Sequence, residues 1–83
     1  MNRNTVKKFL IKILTKKKPF RSEISDIEKY KYLEEGHIDS LELALFIASI
    51  ENKFKIKLSP KNLSSKDFRT IKGIINLIQK KLD

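Results

Sequence analysis

Apolar positions along the chain fall into three runs with helical spacing. Val6, Phe9, Leu10, Ile13 and Leu14 recur at i, i+3, i+4, i+7 and i+8, the signature of one buried helix face. Asn4 or Thr5 is placed to cap the start, and Pro19 lies just beyond the end. Leu43, Phe46, Ile47, Ile50 and Phe54 repeat the pattern, and Ile71, Ile74, Ile75, Ile78 and Leu82 repeat it again after Thr70 as N-cap. Between the last two runs, Ser59-Pro60 fits an N-cap followed by proline at the first helical position, with Leu63 and Phe68 as apolar anchors of one or two short turns. Lys55-Ile56-Lys57-Leu58 alternates like a strand but has no partner, so it reads as an extended loop that sends Ile56 and Leu58 into the core. Residues 20–39 form a long connection in which Ile24, Ile27, Tyr30 and Leu33 recur every three residues, which predicts a loop packed on the core with a turn of helix. The pattern predicts an all-α fold: a small four-helix bundle, three long helices plus a short third one, with a long first loop.

Composition narrows the function classes. Eighty-three residues are enough for one domain spanning 1–83. The chain has no Cys and one His, which excludes a disulfide framework, a thiolate nucleophile and an ordinary structural zinc site. The longest apolar run, Leu43 to Ala48, is far short of the ~20 residues that span a bilayer. Lys12 and Lys16 break any leader-like apolar stretch near the N-terminus, so the sequence reads as a soluble cytoplasmic protein.

The net charge of +9 invites a nucleic-acid reading, and its distribution changes the picture. Residues 1–32 carry net +7 and residues 53–83 net +7. Residues 33–52 hold Glu34, Glu35, Asp39, Glu42 and Glu51 with no Lys or Arg. That acidic segment reads as a docking surface for a basic partner. It covers most of the best-defined helix, where a nucleic-acid binder would need basic residues. The basic first helix, with Lys7, Lys8, Lys12, Lys16, Lys17 and Lys18, reads first as a solvated outer face, and second as a surface for anionic membranes.

The most informative stretch is Gly36-His37-Ile38-Asp39-Ser40-Leu41-Glu42-Leu43. With Asp39 as N-cap, Glu42 occupies N3, which makes a capping box with Asp in place of Ser or Thr. Ile38 and Leu43 then form a hydrophobic staple. Ser40 falls at the first helical position, where free backbone N–H groups and the positive end of the dipole favour a phosphate ester. Gly36 permits a positive φ in the preceding turn. His37 reads as a loop residue rather than a catalyst, and Tyr30 and Tyr32 as packing for the first loop.

Gly36-x-Ile38-Asp39-Ser40-Leu41, followed by Phe46-Ile47 and Ile50-Glu51-x-x-Phe54-x-Ile56-x-Leu58, resembles the acyl carrier protein family. Leu63, Phe68, Thr70-Ile71 and Ile74 continue the resemblance towards the C-terminus. The Gly-x-Ile-Asp-Ser-Leu form is most similar to stand-alone carriers, including those that take D-alanine or other amino acids. The resemblance implies that Ser40 receives phosphopantetheine from coenzyme A, and that the arm's thiol holds an acyl or aminoacyl group as a thioester. It implies that Asp39 assists the transferase at its metal ion. It implies a phosphopantetheinyl transferase, a loading ligase and a downstream synthase or transferase as partners of a monomeric carrier that is not itself an enzyme. The basic charge and the acid-free stretch Leu45-Phe46-Ile47-Ala48 depart from typical fatty-acid carriers and favour a specialised pathway.

At about 100° per residue, Leu41, Ala44, Leu45 and Ala48 lie opposite the core stripe of the second helix, beside Ser40. A helix with two apolar faces in so small a bundle predicts a second contact surface, with Glu42 and Glu51 as its rim. The alternative is that Leu45 tucks under the first loop. The rival function is a small basic helical nucleic-acid-binding protein.

Overall fold

The computed structural model describes residues 2–82. Among these residues all regular structure is helical: α1 (Arg3–Lys17), α2 (Ser40–Phe54), α3 (Pro60–Leu63) and α4 (Ile71–Leu82), with 3-10 turns at Ile27–Lys29 and Lys66–Arg69. Each long helix starts on a side-chain cap, which satisfies an N–H that has no partner one turn back. For α1 the cap is Asn2 rather than Asn4 or Thr5. Its side-chain oxygen accepts the Thr5 N–H at 2.9 Å, so the helix begins two residues earlier than the hydrophobic pattern alone suggests. Asp39 caps α2 and Ser59 caps α3, each in a closed capping box. The Thr70 hydroxyl caps α4 by accepting the Gly73 N–H at 3.0 Å.

α2 stops where Lys55 enters the left-handed region, φ 57°, and the N–H groups of Lys55 and Ile56 turn back onto the Glu51 carbonyl. The chain then runs extended to Ser59, burying Leu58 and half-burying Ile56. The Glu51 carboxylate fixes this exit by accepting the Leu58 N–H at 2.8 Å.

One cluster forms the core. Val6, Leu10 and Leu14 of α1 meet Phe46, Ile50 and Phe54 of α2 and Ile71, Ile74, Ile75, Leu77 and Ile78 of α4. α4 packs against α1 and against both 3-10 turns. Gly73 allows the close approach of α4 to the second 3-10 turn, since a Cβ there would run into the backbone of Asp67.

The long first loop belongs to the core, as its apolar spacing predicts. Ile27, Tyr30 and Leu33 pack against the cluster while Ile24, half-buried, stays outside it, and the 3-10 turn at Ile27 supplies the expected helical turn. Its most buried member is Tyr32, outside that three-residue spacing. The ring lies edge-on to Phe46 and Phe68, and its hydroxyl donates to the Phe68 carbonyl at 2.6 Å. Burial pushes the Tyr32 phenol well above its ordinary value, so it stays a hydrogen-bond donor. At its outer end the loop is clamped to α1 by Glu28, which pairs with Arg3 through two hydrogen bonds and with Lys7 at 2.9 Å.

Candidate modification and docking site

The start of α2 is built by residues 36–43. Gly36 takes φ 70°, a left-handed turn that only glycine enters without cost, and sends the chain back towards the bundle. His37 and Ile38 then drop into the interior, 3% and 6% exposed. The His37 ring is held from three sides. Nε2 faces the Leu14 carbonyl at 3.0 Å, a partner that can only accept. Nδ1 lies 3.3 Å from the Tyr30 hydroxyl, and Phe20 stacks on the ring at 4.7 Å between centroids. Ile38 is buried and Leu43 half-buried against the same core, as a staple requires. The chain therefore enters α2 at a fixed angle.

The capping box closes in both directions. Asp39 Oδ1 accepts the Glu42 N–H at 2.8 Å, and the Asp39 N–H donates to Glu42 Oε1 at 3.0 Å. Ser40 is the first helical residue and is exposed. Its hydroxyl makes no hydrogen bond within the described residues. The N–H groups of Ser40 and Leu41 have no partner one turn back in the helix. The site thus offers a free hydroxyl, two outward-facing N–H donors and a fixed carboxylate one residue away. That donor set fits a phosphodiester on the Ser40 oxygen. No protein-family model and no curated protein matches the chain.

α2 has the two apolar faces that its sequence predicts. Phe46, Ile50 and Phe54 are buried, while Leu41 and Leu45 are 72% and 51% exposed with Ala44 and Ala48 open beside them. Leu45 does not tuck under the first loop. Exposed leucines next to an exposed serine form an apolar strip that begins at Ser40 and runs down the helix.

The acids of residues 33–52 are held by hydrogen bonds and ion pairs within the protein. Glu42 closes the cap and Glu51 accepts the Leu58 N–H, and each keeps its negative charge. Glu34 faces Arg69 at 3.6 Å and Lys31 at 4.0 Å, and Glu35 faces Arg21 at 3.7 Å. Glu34 and Glu35 thus meet the protein's own cations, whereas Asp39, Glu42 and Glu51 accept neutral backbone N–H groups and keep their charge.

Sequence reasoning missed the anchoring by His37 and Tyr32. Neither belongs to a periodic pattern, and both act through hydrogen bonds to backbone carbonyls far along the chain. The one usable signal is their position in a loop whose apolar spacing predicts packing, with His37 two residues before the Asp39 cap.

Proposed function

We propose that the protein is a carrier whose Ser40 bears a phosphopantetheine arm and that delivers an acyl or aminoacyl thioester to partner enzymes. The observation that carries this reading is the exposed, unbonded Ser40 hydroxyl at the first position of α2, between the capping Asp39 and the exposed Leu41. A phosphodiester there gains from the helix dipole and from the N–H donors of Ser40 and Leu41. The arm brings the thiol that the chain lacks, since it contains no Cys. The residues of the chain itself hold and present the attachment point. Gly36, His37 and Ile38 set the angle of the turn, the capping box keeps the first turn of α2 from fraying, and Asp39 Oδ2 stays available to the transferase. Leu41, Ala44, Leu45 and Ala48 supply an apolar docking strip for the enzymes that load and unload the arm, and a strip this narrow suits contacts that must dissociate. In this reading the carrier is a cytoplasmic monomer of a specialised pathway.

The deciding measurement is intact mass after incubation with coenzyme A and a broad-specificity phosphopantetheinyl transferase. The wild-type chain gains one phosphopantetheinyl group, and Ser40→Ala gains none while melting like wild type. No gain on the wild type, or a gain retained in Ser40→Ala, rejects the assignment.

A further inference from the structure

The lysine run at the end of α1 has no task in the carrier reading. Lys16, Lys17 and Lys18 are three consecutive exposed lysines, and like most lysines of the chain they form no ion pair among the described residues. The fold puts this run at a particular place. The Leu14 carbonyl accepts both the Lys18 N–H, at 3.1 Å, and His37 Nε2, at 3.0 Å. One oxygen atom therefore holds the end of α1 against the turn that leads into Ser40. α1 and α2 run antiparallel from there, because Phe9 in the first half of α1 packs on Phe54 at the far end of α2, with ring centroids 5.3 Å apart. Three unpaired lysines and the first exposed leucines of α2 thus share one end of the molecule. Lys55 and Lys57 lie beyond the other end of α2, roughly 22 Å away along the helix.

We infer that this end docks on an anionic lipid surface, with Lys16, Lys17 and Lys18 against the headgroup phosphates and Leu41 and Leu45 entering the interfacial layer. An anionic bilayer uses both features, because lysines are drawn to its surface potential while apolar side chains gain by leaving water at the headgroup boundary. Duplex nucleic acid would use the lysines and leave the leucines in water. No helix among the described residues is long and apolar enough to cross a membrane, so the docking is peripheral and reversible. It is a property of the unmodified chain and stands independently of what Ser40 carries.

Flotation with vesicles of phosphatidylglycerol and phosphatidylcholine, against phosphatidylcholine alone, tests this. The wild type and Ser40→Ala both float with the anionic vesicles and remain behind with the neutral ones. Each lysine lost at the surface weakens binding about fivefold, so Lys17→Gln/Lys18→Gln binds about 25-fold less. The charge-matched pair Lys55→Gln/Lys57→Gln, at the other end, changes binding far less. Leu41→Ser/Leu45→Ser also weakens it, and melting curves establish that each variant is folded. Absence of anionic-vesicle binding at low salt overturns the proposal. Equal losses for the two lysine pairs overturn it in favour of unspecific attraction by the whole charge. Wild-type binding by the leucine variant removes the interfacial contact. A duplex DNA affinity that depends on Lys17 and Lys18, without vesicle binding, assigns the run to nucleic acid instead.

Discussion

Gly73 sits in the first turn of α4, a place where alanine normally stabilises a helix by about 1 kcal/mol. Here the sign should reverse. Gly73 is buried against the second 3-10 turn, and a Cβ would meet the carbonyl oxygen, carbonyl carbon and Cα of Asp67, which are backbone atoms that cannot swing aside. Gly73→Ala must therefore push α4 away from the second 3-10 turn or shift that turn. Overpacking of this kind costs about 2 kcal/mol, which for a domain of this size lowers the melting temperature by roughly 10 °C. A thermal melt that rises would show that the turn moves freely and that the close approach is incidental. Gly73 was not legible as a contact in the sequence, because a glycine inside a helical pattern looks only like a weak position. Tyr32 was half-legible: its ring fits the packing role assigned to the loop, but its bond to the Phe68 carbonyl joins residues 36 apart. No spacing rule reaches that far.

At the scale of elements, the start of α2 was the most legible part of the chain. Cap, N3 partner, staple and left-handed glycine all obey local rules, and the structure realises each of them at residues 36–43. The same holds for Ser59-Pro60 and Thr70, and for the exposed second face of α2. The Asn2 cap and the ion pairs of Glu35 and Glu34 were less legible. The first lies outside the apolar pattern, and the second depends on Arg21 and Arg69, which only the tertiary fold brings to Glu35 and Glu34. Asp39 carries two tasks that substitutions can separate. Asp39→Ala removes the cap and should destabilise the protein by about 1 kcal/mol, whereas Asp39→Asn keeps a side-chain oxygen of equal capping strength and should melt like wild type. Both lose the carboxylate. In the carrier reading both should then be modified more slowly at Ser40, followed by intact mass over time. If Asp39→Asn is modified at the wild-type rate, Asp39 serves the helix alone.

Across the whole molecule, α1 is fastened at both ends by different chemistry. Its C-terminal end is held by the His37 ring on the Leu14 carbonyl, and its N-terminal end by Glu28, which reaches out of the first loop to Arg3 and Lys7. The hydrogen bonds from Arg3, and next those from Lys7, hold the Glu28 carboxyl down from its ordinary value of 4.5 to about 2. The sign of the pH effect follows. The folded-state value lies below the unfolded one, so the unfolded chain binds the extra proton between these limits. The contribution of Glu28 is therefore complete above about pH 4.5 and fades as pH falls towards 2. Over the same range a chain already at +9 gains further positive charge, and self-repulsion loosens the compact state as well. Glu28→Gln isolates the first effect from the second. It should be less stable than wild type at neutral pH and should lose stability less steeply on acidification, by up to about one proton in the linkage slope. The pair is partly exposed, with Arg3 and Glu28 side chains 43% and 20% accessible, so molar salt should narrow the gap between the two proteins. Urea midpoints measured from pH 7 down to pH 2.5, at low and high salt, read all three quantities. Parallel curves for the two proteins would mean that Glu28 titrates alike in the folded and unfolded chain and that α1 is fastened by its apolar face and the His37 bond to the Leu14 carbonyl.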